Sequence, residues 1–282
     1  MDTNRRRHKT AARIGEAVFL LVFGIINLIP IFWGMVTSLK TTRDINSFPP
    51  KVFNFTPTLE HYQTVLSTGF FQTIVNSALY AVIAIVAGVV VGYLAGYGFA
   101  RRDFPLKKLA FFIVVVGIPL SGGSSVLLIP NYMYMMNLSL TNHWYTMPLI
   151  YTAYNLPMTI WLMISGVKSV PLELEEAARI DGAKQKYIVC KLLPPLVKPS
   201  AAAAALLIFI NAWNDYITAS VMVTGQERKN IQMAIYDYMG FFGMEWGPLT
   251  AAASFAIIPI LLVFTFLGKQ LVSGLTAGAV KG

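Results

Sequence analysis

Ser169-Val170-Pro171-Leu172-Glu173-Leu174-Glu175-Glu176-Ala177-Ala178-Arg179-Ile180-Asp181-Gly182-Ala183 is a charged, helix-forming stretch set inside a chain that is otherwise dominated by apolar runs. Pro171 suits the first position of a helix, where a missing N–H costs nothing. The acids at 173, 175 and 176 then fall in the first turns, where the positive end of the helix dipole favours them. Ala177 and Ala178 favour helix and leave a flat surface. Gly182 permits the backbone reversal that a Cβ would hinder, and a second helical stretch is expected from about 184 to 192. Pro194, Pro195 and Pro199 mark the return to apolar sequence. The segment from about 169 to 195 therefore reads as a compact helix-turn-helix, rigid enough to transmit force.

Outward from it, apolar runs lie on both sides. Crossing about 30 Å of hydrocarbon at 1.5 Å per residue takes roughly 20 apolar residues. Six stretches qualify as expected spans: 17–36, 78–100, 109–130, 144–164, 201–223 and 249–267. The charged insertion falls between the fourth and the fifth. The third is interrupted by Gly117, Pro119 and the Ser121-Gly122-Gly123-Ser124-Ser125 cluster, so an irregular or kinked span is expected there. With 56% of residues hydrophobic and 12% charged, the chain departs from soluble domains, which are about one quarter charged. The reading is an all-α membrane protein: a segment 1–16, a six-helix domain over 17–272 and a tail over 273–282.

A net charge of +9 suggests nucleic acid until the basic residues are mapped. Seventeen of the 22 fall in alternate loops: Arg5, Arg6, Arg7, Lys9 and Arg13; Arg101, Arg102, Lys107 and Lys108; Lys168, Arg179, Lys184, Lys186, Lys191 and Lys198; Lys269 and Lys281. The positive-inside rule makes that side the cytoplasm, with both termini on it and the insertion facing it. The other side carries Lys40, Arg43, Lys51, Arg228 and Lys229. Trp33, Trp144 and Trp246 fall near outer ends of spans, where amphipathic rings anchor at the lipid headgroups. The basic start and first apolar run are expected to be a retained span. The run exceeds the usual 7–15-residue signal core, and Thr37-Ser38-Leu39-Lys40 lacks a small-x-small cleavage site.

Smaller features complete the reading. Ala84, Gly88, Gly92, Gly96 and Ala100 recur every four residues in the second span, leaving one helix face without bulk for a close contact with an adjacent span or a sister subunit. Asn211, Asn214 and Asp215 lie in an apolar span, where polar groups are costly unless they face protein or water. Two roles stay open for them: lining a translocation path, with Trp213 or Tyr216 stacking on a substrate ring, or hydrogen bonds between helices. Asn27 and Asn155 read as packing bonds. The loop 224–248, rich in Tyr, Phe and Met over 231–244, is expected to lie on the membrane surface or receive a partner. Cys190, alone, excludes an internal disulfide, and His8, His61 and His143 are scattered in loops and expected to be solvated, without metal-ligand spacing. No nucleophile, metal cluster or facing acid–base pair suggests catalysis. No Gly-x4-Gly-Lys-Ser/Thr loop is present to bind ATP.

Glu176-Ala177-Ala178, three residues, Gly182, nine residues, then Leu192-Leu193-Pro194-Pro195 resembles the Glu-Ala-Ala-x3-Gly-x9-Ile-x-Leu-Pro motif of binding-protein-dependent ABC permeases, with Leu192 for Ile and Pro194 for Leu. The resemblance extends to Asn76-Ser77 opening the second span, to Arg101-Arg102-x-Phe104 closing it, and to Asn211-Ala212-Trp213-Asn214-Asp215. The ending Gly274 to Gly282 looks like that of permeases in multiple-sugar importers related to the maltose system, and the chain is similar to the shorter, six-span subunit of the pair. The resemblance implies the type I importer fold. It also implies a heterodimer with a second permease, two ATP-binding subunits that hydrolyse ATP, an extracytoplasmic binding protein and a sugar substrate, with no cofactor. It implies that Glu176, Ala177, Ala178, Asp181 and Gly182 dock on an ATP-binding subunit. An ion-coupled secondary transporter, needing buried acids at the midplane where only Asp215 qualifies, is the alternative class. A glycerol-phosphate or polyol is the alternative substrate.

Overall fold

A computed structural model describes residues 2–120, 127–240 and 243–279. In chain order the helices are α1 (Asp2–Ser38), α2 (Thr42–Ile45), α3 (Glu60–Ser67), α4 (Phe70–Arg101), α5 (Lys107–Gly117), α6 (Leu128–Asn137), α7 (Thr146–Ser169), α8 (Leu172–Ile180), α9 (Gln185–Tyr187), α10 (Leu193–Leu196), α11 (Lys198–Asn214), α12 (Ile217–Met222), α13 (Ile231–Tyr236) and α14 (Trp246–Ala279). A two-residue antiparallel pair, β1 (Met239–Gly240) and β2 (Gly243–Met244), precedes α14. The chain divides into two compact units, 1–68 with 235–255, and 69–234 with 256–282.

In the first unit the exposed apolar length of α1 leads to a buried corner at its end. Ser38 Oγ and the Tyr62 hydroxyl lie 2.7 Å apart, and Lys40 sits over the rings of Trp33 and Phe55 at 4.5 and 5.5 Å from their centroids. Burial pushes the Lys40 ammonium pKa down, with the Asp44 carboxylate opposing the shift. His61, expected in a solvated loop, is instead on α3, buried, with Nε2 2.9 Å from the Lys40 carbonyl and against Gly247, which leaves no room for a Cβ.

The second unit is built around α4, with α7 and α11 against it. Glycines explain the closeness. A Cβ on Gly88 would stand 2.9 Å from Ile208 Cδ1 of α11, one on Gly92 would strike the Thr159 methyl of α7, and one on Gly96 would lie 2.6 Å from Met163 Cβ and 3.0 Å from the Ile164 nitrogen. The small-residue stripe is thus a contact within the chain. It meets α7 at Thr159 and Met163, and the polar row of Tyr151, Asn155 and Thr159, four residues apart on α7, is buried.

Several elements depart from the expected spans. Among the described residues three helices are long and apolar enough to cross a membrane, over Gly15–Ser38, Phe70–Arg101 and Trp246–Gly268. The segments Gln185–Leu196 and Lys198–Asn214 meet at a 73° bend and add a fourth if taken as one span. The fourth expected span, α7, is long enough at 24 residues but owes its lower apolarity to the Thr, Tyr and Asn residues it buries. In the third, α-helix ends at Gly117 and passes to a 3-10 turn over Ile118–Leu120; the Ser121–Ser125 cluster lies outside the described residues. The expected span 201–223 is not continuous, because α11 stops at Asn214 and Asp215 adopts an extended backbone before α12. The last helix runs past 267 and through the expected tail as far as Ala279, with 280–282 outside the described residues.

Candidate functional site

The charged insertion folds as α8, a tight reversal, α9, a π-helical turn over Ile188–Leu192, and α10. Pro171 is the residue just before α8, extended at φ −57° and ψ 138°, so the helix starts one residue later than expected. Asp181 N–H donates to the Ala177 carbonyl, Gly182 N–H to Arg179 and Ala183 N–H to Ala178, at 2.9, 3.0 and 2.9 Å. With Gly182 at φ +83° this is a Schellman cap, the conformation in which glycine carries no steric penalty. The α-helix expected over 184–192 widens into a π turn before Pro194 and Pro195, whose missing N–H groups cannot bond back to the preceding turn.

Glu176 and Ala177 are exposed on the outer face of α8, and an open depression of about 630 Å³ follows it, lined by Ala178, Asp181, Gly182, Ala183, Lys184, Tyr187 and Leu192. All five residues of the sequence-derived docking set therefore lie together at the C-terminal half of α8 and its turn. The inner face belongs to Glu175, which sequence reasoning left undistinguished from its neighbours. Its carboxylate is fully buried and accepts from Arg101 Nε at 2.6 Å, with Arg179 3.7 Å away. Arg101 also donates from one terminal nitrogen to the carbonyls of Val167 and Val170, at 3.0 and 2.6 Å. Those carbonyls end α7, where the helix dipole is negative and backbone acceptors lack partners. One guanidinium thus joins the end of α4, the end of α7 and the start of α8. Beneath it Tyr97, Val167, Val170, Ile188, Leu193 and Val197 form an apolar core.

The second group, Asn211, Trp213, Asn214 and Asp215, divides. Trp213 is fully buried, stacked on Phe209 at 5.3 Å, and donates its Nε1–H to the Ala256 carbonyl at 3.3 Å. It is a core residue of this chain, unable to stack on a substrate ring from that position. Asn211 donates to Asn155 Oδ1 at 2.6 Å, a bond between α11 and α7. Asp215 accepts the Thr218 and Ala219 N–H groups, each at 3.0 Å, and the Tyr151 hydroxyl at 2.9 Å. Its carboxylate caps α12 and explains why the fifth expected span breaks there. Asn214 is the one of the four with an exposed side chain, bonded to its own helix at the Ile210 carbonyl.

Sequence reasoning also missed Asn230. Its Oδ1 accepts the Met233 N–H at the start of α13, and its amide donates to the Asp215 carbonyl. Asn76 donates to the Glu227 and Lys229 carbonyls, Ser77 Oγ accepts the Ile231 N–H, and the Tyr80 hydroxyl donates to the Arg228 carbonyl. The Asn76-Ser77 pair noted at the opening of the second span thus ties the 227–231 segment to α4. No group of three metal-ligating side chains converges among the described residues.

The model of the binding-protein-dependent transport system inner membrane component matches residues 84–276, which include the whole insertion. The chain belongs to this family. Among relatives of this inner membrane component, the diacetylchitobiose uptake system permease protein of Streptomyces coelicolor is 33% identical, covering 96% of this chain and 98% of its own. The trehalose/maltose transport system permease protein of Thermococcus litoralis is 30% identical, over 98% and 99%. In fold the inner membrane component matches a solved bacterial ABC transporter involved in import of the acidic polysaccharide alginate, with a TM-score of 0.77 at 23% identity over 93% of this chain and 97% of that one. The chain is therefore an ABC importer permease of the type I fold and not itself an enzyme.

Proposed function

We propose that this permease is one half of a heterodimeric membrane channel that passes a sugar, an oligosaccharide in the first instance, from an extracytoplasmic binding protein to the cytoplasm, driven by two separate ATP-binding subunits. The relatives named for diacetylchitobiose and trehalose/maltose support the substrate class. The observation that carries the mechanism is the two-sided α8: Glu176 and Ala177 face outward, unused by this chain, while Glu175 is buried and ion-paired behind them. Glu176 is then free to pair with a basic residue of the ATP-binding subunit, and Gly182 sets the turn that seats it.

The chain crosses the membrane six times in this proposal, with both termini cytoplasmic, and the distribution of Lys and Arg supports that orientation. The spans that are short, broken or polar, namely α5 with α6, α7, and α10 with α11, are then the ones enclosed by other protein.

Proteoliposomes holding the complex purified with this chain test the proposal. Uptake of the sugar bound by the partner binding protein is expected only with ATP on the side of the ATP-binding subunits, and is unaffected by collapsing the proton gradient. Uptake that follows the gradient without ATP would overturn it.

A further inference from the structure

On α4, beside the glycine stripe, Tyr93, Tyr97 and Arg101 stand four residues apart and so share a face. Each reaches the insertion, and Tyr97, whose hydroxyl donates to Glu175 Oε2 at 3.5 Å, shares that carboxylate with Arg101. The Tyr93 hydroxyl donates to the Val189 carbonyl at 2.6 Å, Gln185 Nε2 donates to the Tyr97 hydroxyl, and Arg101 pairs with Glu175 while holding the Val167 and Val170 carbonyls. The first of these has a covalent cause. Val189 lies in the π turn, where its carbonyl would accept from the residue five positions on, and that residue is Pro194, which has no N–H.

The placement of these bonds gives them a purpose. A nine-residue helix transmits displacement only if its tethers are stiff, and α8 is tethered at both ends by sharp changes of backbone conformation: the extended Val170-Pro171 pair before it and the left-handed Gly182 after it. Arg101 fixes the first by binding Val170 and Glu175 on either side of it. Tyr97 and Tyr93 fix the second by holding Gln185 and Val189 beyond it. The column bonds residues on both sides of these two points to α4.

We propose that Tyr93, Tyr97 and Arg101, with Glu175 as their buried partner, are positioning residues that set how much transport each ATP hydrolysis yields. This rests on the importer reading above. α4 is the element chosen because its glycines place it in backbone contact with α7 and against α11, so a push on α8 reaches the middle of the unit without crossing a soft contact.

The test uses the intact complex carrying Glu175→Gln, Arg101→Lys or Tyr93→Phe in this chain, with uptake and ATP hydrolysis measured on the same vesicles. A nitroxide label on Cys190, the single cysteine in the sequence and exposed beside Val189, reports motion of the insertion. The expected result is that uptake per ATP falls by about 2- to 30-fold, the range for mutations along a coupling route, while the subunits still co-purify. The label becomes more mobile in all three, and Tyr93→Phe, which removes one hydroxyl, gives the smallest change. An unchanged ratio, or uptake and hydrolysis falling together with loss of assembly in all three variants, would overturn the proposal. If the unaltered chain brought down no ATP-binding subunit, the importer reading would fail by itself. The clamp would then be judged on the Cys190 label in the chain alone, where mobility unchanged by Glu175→Gln would overturn it.

Discussion

Glu175 and Glu176 are adjacent in the sequence and opposite in setting, one buried against Arg101 and the other exposed. Their substitutions separate accordingly. Glu176→Lys is expected to abolish uptake while the protein still inserts and keeps its thermal stability; normal uptake would remove Glu176 from the coupling contact. Glu175→Ala leaves a buried guanidinium without its charge partner, a loss of about 3–5 kcal/mol, and a lowered melting temperature in detergent checks it. At Asp215, Ala removes the α12 cap and the acceptor of Tyr151, costing about 0.5–2 kcal/mol. Asn, which keeps one oxygen acceptor, is expected to cost less, and a larger loss with Asn than with Ala would contradict the capping role. The exposed half of α8 was legible because motif spacing and helix chemistry are local. The setting of Glu175 was not, since which of two neighbouring acids turns inward depends on Arg101, 74 positions away in sequence. The role of Trp213 stayed open in the sequence for a related reason: an aromatic ring beside polar residues suits a binding path equally well as a core, and the contacts with Phe209 and Ala256 are tertiary.

Helices α4 and α7 owe their contact to missing side chains. Gly96→Ala places a methyl 2.6 Å from Met163 Cβ, and with backbone also at 3.0 Å the strain has little room to relax; a loss of about 1–3 kcal/mol is expected in unfolding measurements. Gly98→Ala, on the same helix with nothing within 4 Å, is expected to be neutral or stabilising, because alanine favours helix by about 1 kcal/mol. Equal effects at the two positions would refute the packing account. The four-residue period made this stripe readable, though it could not say which neighbour filled it. The break at Asn214 was hidden for a different reason: the polar residues within 201–223 suit a continuous span equally well, and its interruption comes from Asp215, Asn230 and Tyr151 meeting from three separate segments. Similarly, Pro194-Pro195 marked only the return to apolar sequence, while the π turn before them and the Tyr93 bond to the Val189 carbonyl emerge in the folded chain.

At the scale of the molecule, the proposed orientation rests on the distribution of Lys and Arg, and the proposed partners on the insertion. If the insertion is cytoplasmic as proposed, a membrane-impermeant maleimide is expected to label Cys190 in inside-out vesicles and not in intact cells, and labelling of intact cells would reverse the proposed topology. Two surfaces of this chain are left exposed by its own fold: α1 buries almost nothing along its apolar length, and Glu176 and Ala177 of α8 are exposed. The most direct measurement is therefore mass spectrometry of what co-purifies, in mild detergent, with the tagged chain and with its Glu176→Lys variant from native membranes. A second permease in both samples, with an ATP-binding subunit retained by the unaltered chain and depleted in the variant, is the result expected. Recovery of the unaltered chain alone or only with copies of itself, or an ATP-binding subunit held equally by both, would contradict coupling through α8.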